Sequence, residues 1–308
     1  MQYIIGIDGG GTKTQCAIAD INGEIIYECT GGASNFISIG TEKVSQTILN
    51  LIDDCRKELN INFSDIQIVV LGTTGAGRRV DAERMEKAFN DYAANKNITF
   101  DHFHVESDAR IALEGAFSGK PGCILISGTG SIIFAKSPDG KIHRAGGFGK
   151  LIGDEGSGFA IGRKGLAAAS KQLDERGVHT QIAKLIREKF SIDSPEKLIT
   201  EVYRNNLDIA SAAPLVLDAA EQGDSAALKI IDEESDELLL HISAMVKNFK
   251  TGEINIAFIG SLISTENIFS RTLKKKIIMR YPEVKVRKPE HPPAAGAIII
   301  GKTFLNKN

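Results

Sequence analysis

The sequence is short of several things, and each shortage excludes something. It holds four cysteines, Cys16, Cys29, Cys55 and Cys123. No two form Cys-x-x-Cys, and their spacings fit no metal template. They are read as buried or half-buried free thiols in a reducing compartment. Net charge is also scarce: 37 Lys and Arg face 39 Asp and Glu, leaving −2. That balance gives no electrostatic footprint for nucleic acid or an anionic membrane, so neither is an expected partner. No apolar run approaches the length of a membrane span. The opening MQYIIGID lacks a basic stretch, an apolar core and a cleavage site in series. The expected location is cytoplasmic.

What is present is an ordinary globular mixture, 42% hydrophobic and 25% charged, in 308 residues. That length is comfortable for two domains, each able to bury a core. Tyr3 to Asp8 reads as a strand, Gln15 to Asp20 as a second, and Glu24 to Cys29 as a third after the Asn22-Gly23 turn. From Thr41 to Leu59 the period becomes helical, with Val44, Ile48, Leu51, Ile52, Cys55 and Leu59 on one face. Ile66 to Leu71 and His102 to Val105 read as strands. Asp81 to Asn95 reads as a helix, and the strand over His102 to Val105 ends at Glu106-Ser107-Asp108, after which a helix to about Phe117 follows. Beyond Gly119 to Gly122 the pattern restarts: Cys123 to Ser127, a glycine turn, Ile132 to Ala135, and a short strand over Lys141 to Arg144. Gly156 to Phe249 is mostly helical, Ile254 to Ile259 is a strand, and HPPAAGAIIIGKTFL enters a final apolar helix. LISGTGSIIFAK echoes IGIDGGGTKTQCAI, which suggests two related α/β halves.

The loop DGGGTKT, Asp8 to Thr14, asks for a phosphate. A P-loop needs G-x-x-x-x-G-K-[ST] between strand and helix. Here the lysine comes one place late and a strand follows. The dinucleotide fingerprint fails too, with no third glycine and no helix. The loop therefore joins two strands. Such a turn presents consecutive backbone N–H groups to a phosphate, because glycine permits the dihedrals and the close approach. Thr12 adds a hydroxyl and Lys13 a charge. Asp8, at the strand end, is placed to hold Mg²⁺ through water. The second turn, ISGTGSI, Ile126 to Ile132, has the same build.

With both turns in view, the sequence resembles the hexokinase–actin–heat-shock-chaperone superfamily. DGGGTKT is similar to its first phosphate loop, SGTGS to its second, and IAFIGSLIS, Ile256 to Ser264, to its adenosine segment. GGFGKLIGDEGSG, Gly146 to Gly158, with ASNF, Ala33 to Phe36, and SDA, Ser107 to Ala109, narrows this to the N-acetylglucosamine kinase family. That family groups with the ATPases that activate acyl-CoA reductases and dehydratases.

The resemblance implies a two-domain α/β fold of actin-like, ribonuclease H-like units with a central nucleotide and sugar cleft. The first unit would cover 1–117 and regain a helix at about 293–308. The second would cover 118–292, with a helical insertion. ATP and Mg²⁺ are the implied cofactors. Gly10, Gly11, Thr12, Lys13, Gly128, Thr129 and Gly130 would hold the phosphates, with Ala210, Gly260 and Ser264 on the nucleoside side. An amino sugar would meet Asn35, Asp108, Ser131, Ile132, Gly147, Phe148, Gly149 and Asp154. Asn and Asp suit sugar hydroxyls, accepting and donating at low entropic cost. Asp108 is the implied base that takes the proton from the attacking hydroxyl. From the residues alone Asp108 reads first as the N-cap of a helix over Ala109 to Phe117; Asp154-Glu155 could likewise cap the helix from Ser157, though the flanking glycines favour a backbone that approaches a ligand.

The implied reaction moves the γ-phosphate to a sugar hydroxyl, O6 of N-acetylglucosamine. Family members often carry Trp where Phe148 stands, and this chain has no Trp, so the indole N–H is lost. Glucosamine and N-acetylmuramic acid therefore stay open. A non-kinase ATPase or sugar sensor is the rival class. No cysteine cluster for an iron–sulfur centre supports it. A homodimer is expected from the family alone. Arg78-Arg79 and Lys274-Lys275-Lys276 are read as solvated surface charges, and His102 with His104 as too few ligands for a metal.

Overall fold

The computed structural model describes residues 1–250 and 252–306. They fall into two compact units, residues 1–121 with 288–308, and residues 122–287. The first holds β1 (Tyr3–Gly9), β2 (Thr14–Asp20), β3 (Ile25–Gly31), β4 (Ile66–Thr73) and β5 (Phe103–Ser107). The second holds β6 (Gly122–Ser127), β7 (Ser131–Lys136), β8 (Ile142–Gly146), β9 (Ile254–Ile259) and β10 (Val284–Arg287). Helices α1 (Phe36–Ile39), α2 (Thr41–Leu59), α3 (Arg79–Ala94) and α4 (Asp108–Ala116) belong to unit 1. To unit 2 belong α5 (Gly158–Leu173), α6 (Gln181–Phe190), α7 (Pro195–Tyr203), α8 (Ala213–Glu221), α9 (Ser225–Val246), α10 (Ser261–Ser264) and α11 (Ile268–Arg280). Then α12 (Pro293–Leu305) returns to unit 1.

Each unit is built on a five-stranded mixed sheet, and the two sheets share one topology. Unit 1 runs β3-β2-β1-β4-β5, and unit 2 runs β8-β7-β6-β9-β10. In each, the first three strands form an antiparallel meander, while the last two lie parallel to the first. The echo between the two glycine turns therefore marks a repeated architecture. β1 and β4 are near-continuous buried apolar runs, as expected for central parallel strands covered on both faces. One face of the unit 1 sheet packs on α2 and α3 through Val44, Ile48, Ile52, Met85 and Phe89. The other packs on α12 through Ala294, Ala297 and Ile298.

The α12 contact depends on missing side chains. A Cβ at Gly6 of β1 would overlap the Ala294 carbonyl, and one at Gly296 would overlap the Ile111 carbonyl. Prolines 292 and 293 start this helix where the first N–H groups need no intrahelical partner. Residues 307 and 308 of the expected terminal helix lie outside the described residues.

Some expectations fail. Cys29 and Cys55 are joined as a disulfide between β3 and α2, while Cys16 and Cys123 are free and buried. Strand and helix happen to bring two sulfurs 26 residues apart together, which no local spacing announces. Burial pushes both free thiols up to about 12. Among the described residues the close metal-ligand grouping is Cys16, Cys29 and Cys55. Lys276 is not simply solvated: it pairs with Asp232 and Asp236 of α9, and Lys274 pairs with Glu266. Arg79 pairs with Glu83 and Glu86. Among the described residues, no helix is long and apolar enough to cross a membrane.

Candidate functional site

In unit 1 the parallel strands set the site. Pairing puts Gly9 of β1 beside Thr73 of β4, and Thr73 beside Ser107 of β5. The next residues leave the sheet at its carboxyl edge, where α/β sheets present their chemistry. They include Thr74 and Asp108, with Asp8 one place earlier. Thr74 Oγ1 donates to Asp108 Oδ2 at 2.7 Å, and the Ala109 N–H donates to Oδ1 at 2.8 Å. Ser107, not Asp108, caps α4, accepting from the Arg110 N–H. Asp108 is thus freed from the capping role, and its two oxygens keep lone pairs for another donor. Burial first, and the neighbouring Asp108 charge second, push the Asp8 carboxyl above its usual range, while Lys13 pulls it down.

The DGGGTKT loop is a tight hairpin closed by Gly10 N–H to the Lys13 carbonyl at 3.0 Å. None of Gly9, Gly10 and Gly11 has positive φ. Their use is space rather than unusual dihedrals. A Cβ at Gly9 would lie 2.6 Å from Ser34 Oγ, whereas Gly11 faces open space. Gly11, Thr12 and Lys13 are exposed. Ser34 stitches this loop down: its N–H donates to the Gly10 carbonyl, its hydroxyl meets Thr14 Oγ1, and its carbonyl accepts from Thr73 Oγ1. Asn35 follows directly and caps the short α1 by accepting from the Ile37 N–H. Its amide nitrogen is left for another acceptor.

In unit 2 the second glycine turn, Gly128 to Gly130, is packed against the GDEGSG segment. The Gly158 N–H donates to the Gly128 carbonyl at 2.7 Å, and the Phe159 N–H to the Thr129 carbonyl at 3.2 Å. Ser131 Oγ donates to the Glu155 carbonyl at 2.5 Å. Asp154 sits in the left-handed region, φ 61°, with its carboxylate against Gly130, where a Cβ would lie 3.0 Å from Oδ2. Ser157 caps α5, so neither Asp154 nor Glu155 does.

Gly260, φ 94°, follows β9. A Cβ there would overlap the Ser127 carbonyl, so the Gly260 backbone lies directly against the second turn. Gly158 lies near Gly128, Leu262 and Ala210. Ser264 ends α10, whose Ser264 N–H returns to the Gly260 carbonyl. Gly147 and Gly149 both have positive φ, and Ile132 fills the space where a Gly147 side chain would stand. The turn holds Phe148 67% exposed, its ring near the Arg144 guanidinium.

Sequence reasoning missed Thr74, which holds Asp108, and the Ser34–Thr14–Thr73 set under the first loop. The available signal was a threonine one residue past a parallel strand end. It was overshadowed by Arg78 and Arg79 in the same loop.

Residues 5–301 match the BadF/BadG/BcrA/BcrD ATPase family. The chain belongs to that family. It is 33% identical to the N-acetylmuramic acid/N-acetylglucosamine kinase of Clostridium acetobutylicum over 98% of this chain and 99% of that one. It is 29% identical to the N-acetyl-D-glucosamine kinase of Dictyostelium discoideum, over 97% of each. A structure from Chromobacterium violaceum, assigned as an N-acetylglucosamine kinase, superposes with TM-score 0.73 at 26% identity, over 97% of this chain and 99% of that one. The Chromobacterium structure shares the actin-like two-unit α/β fold seen here.

Proposed function

We propose that this BadF-type protein is an ATP-dependent amino-sugar kinase that transfers the γ-phosphate to O6 of N-acetylglucosamine. The observation that carries the reading is Asp108. It is a half-buried carboxylate at the carboxyl edge of parallel strands, not used as a cap, oriented by Thr74 and beside a second carboxylate. In the proposed reaction the sugar hydroxyl attacks the γ-phosphorus and its proton passes to Asp108. The new O–P bond forms as the bond to the β-phosphate bridging oxygen breaks, releasing ADP. The protein's part is positioning and charge stabilisation.

Gly10 to Lys13 in unit 1 and Gly128 to Gly130 in unit 2 are assigned to the phosphates. Ala210, Gly260 and Ser264 are assigned to the nucleoside. Asn35, Asp108, Ser131, Ile132, Gly147, Phe148, Gly149 and Asp154 are assigned to the sugar. Asp8 fits a divalent cation: its carboxyl is pushed up by burial and by Asp108, so a positive charge there relieves a real electrostatic cost. Held through water by Asp8, Mg²⁺ would supply neutralisation of phosphate charge.

The exposed Phe148 ring offers an apolar face for a sugar but no N–H donor. N-acetylmuramic acid is the first alternative acceptor, supported by the name of the Clostridium relative. The test is ADP release with N-acetylglucosamine, N-acetylmuramic acid, glucosamine, N-acetylmannosamine and glucose. The expected order puts N-acetylglucosamine first. Rates equal to the no-sugar background for all five would remove the reading. A cytoplasmic homodimer is the accompanying expectation, checked by fractionation and by sedimentation.

A further inference from the structure

The signal lies in unit 2, behind the GDEGSG segment. Glu234 on α9 is 2% exposed, an unusual burial for a carboxylate unless it is paired. Oε2 accepts from the Gly156 N–H at 2.6 Å, and Oε1 meets Lys164 Nζ of α5 at 2.8 Å. The same Gly156 residue is held from its other side, where Ser127 Oγ donates to the Gly156 carbonyl at 2.7 Å. Gly156 has φ 73°, and a Cβ there would overlap Leu238, one turn after Glu234 on α9. A further turn along, His241 lies against Gly146, the other end of the same loop. Helix α9 thus supports the loop from Gly146 to Gly156 at both ends.

We infer that Glu234 is a positioning residue: it clamps Gly156 so that Asp154 keeps a fixed distance from the Gly128–Gly130 turn. This rests on the sugar-kinase reading for its catalytic consequence, but not for its structural one. The physical argument is one of reach and order. Asp154 is two residues from the clamped glycine, and Gly158, two residues after it, is bonded to Gly128. Ser127 bonds Gly156, Ser131 bonds Glu155, and the segment between 154 and 158 is tied at three points to the turn. The five residues Asp154 to Gly158, held this tightly, cannot move separately. A carboxylate that accepts from a backbone N–H in the interior makes a stronger bond than a neutral acceptor would. Removing it leaves the Gly156 N–H buried and unpaired. The Lys164 contact then holds the carboxylate aimed at Gly156.

Two substitutions separate reach from charge. Glu234→Asp keeps the charge for Lys164 but withdraws the oxygens from Gly156 by one methylene. Glu234→Gln keeps the reach and an acceptor oxygen but loses the charge. Loss of a charge-assisted hydrogen bond of this kind corresponds to a change of roughly ten- to a hundredfold. Glu234→Asp is therefore expected to raise the KM for N-acetylglucosamine at least about tenfold, with no-sugar ADP release at the wild-type level. Glu234→Gln is expected to raise that KM less than Glu234→Asp does, since an acceptor within reach of Gly156 is retained although its charge is lost. A merely structural role would lower the folded fraction and leave the KM of the folded enzyme unchanged. Amide exchange of the 147–160 segment is measured on the same proteins without any substrate. It is expected to speed up in Glu234→Asp and to speed up less in Glu234→Gln. Unchanged exchange in Glu234→Asp, or damage to Gln that spares Asp, overturns the inference. Wild-type protein without sugar-dependent turnover but with the expected exchange pattern would instead overturn the kinase reading alone.

Discussion

Thr74 Oγ1 donates a 2.7 Å hydrogen bond to Asp108 Oδ2, across the ends of two neighbouring parallel strands. The bond fixes which way the carboxylate points. It also leaves the remaining lone pairs free for a substrate hydroxyl. Replacing Asp108 by Asn keeps the shape and removes the proton acceptor. A positioned base contributes about 10²–10⁴ in rate, so kcat should fall by that order while the KM values change little. Near-normal turnover in D108N would show that the proton goes elsewhere.

Thr74→Val removes the hydroxyl but keeps the volume. The Asp108 carboxylate then loses one of its two protein donors and gains rotational freedom. A neutral-donor bond to a charged acceptor is worth roughly 1.5–3 kcal/mol, so kcat should drop about tenfold or more. The effect should be absent in a D108N background, where there is no base to aim. Additive losses in the double variant would rule out action through Asp108.

Asp8 gives a pH-dependent stability effect whose sign follows from its environment. Its carboxyl is raised above 3.8 by burial and by Asp108. The folded state therefore binds that proton more tightly than the unfolded state, and ionising it costs stability. This cost is absent below 3.8 and grows as pH rises through the raised folded value. Asp8→Asn should accordingly melt higher than wild type at neutral pH without ligand. The difference should vanish in acid. Loss of Mg²⁺-dependent turnover should accompany the gain. A lower melting temperature for D8N at pH 7 would contradict the assignment.

Thiol counting tests the corrected cysteine assignment. Denatured but unreduced protein should react at two cysteines, Cys16 and Cys123, and reduction should expose four. Closing a loop of this length restricts the unfolded chain by about 3 kcal/mol, so reduction should lower the melting temperature by several degrees. Four reactive thiols before reduction would mean that the Cys29–Cys55 bond does not form in solution.

Most of the architecture was legible in the pattern. The switch from alternation in Gln15 to Asp20 to helical period in Thr41 to Leu59 is strong because α2 buries one stripe and exposes the rest. The two glycine turns were readable as hairpins because strand-like residues follow them rather than a helix. What the sequence hid is long-range. The Cys29–Cys55 pairing depends on where α2 lands on the sheet. The Thr74–Asp108 bond depends on the register of β4 with β5. Cap assignments shifted by a single residue, from Asp108 to Ser107, because both residue types cap well and only backbone geometry decides between them. Glu234 lies in a run of acids, DEESDE, whose surface-like composition conceals one member turned inward.

The return of α12 to unit 1 has a consequence for how the protein comes into being. Ile4, Ala17, Ile68 and Val70 share their buried cluster with Ile111 of α4 and with Ala294, Ala297 and Ile298 of α12. Everything in residues 122–287 is translated in between. On a ribosome the usual order, in which the earlier domain matures first, is therefore reversed. The half that begins the chain must wait, one greasy flank covered in part by α4 alone, for a helix made after its sister is complete.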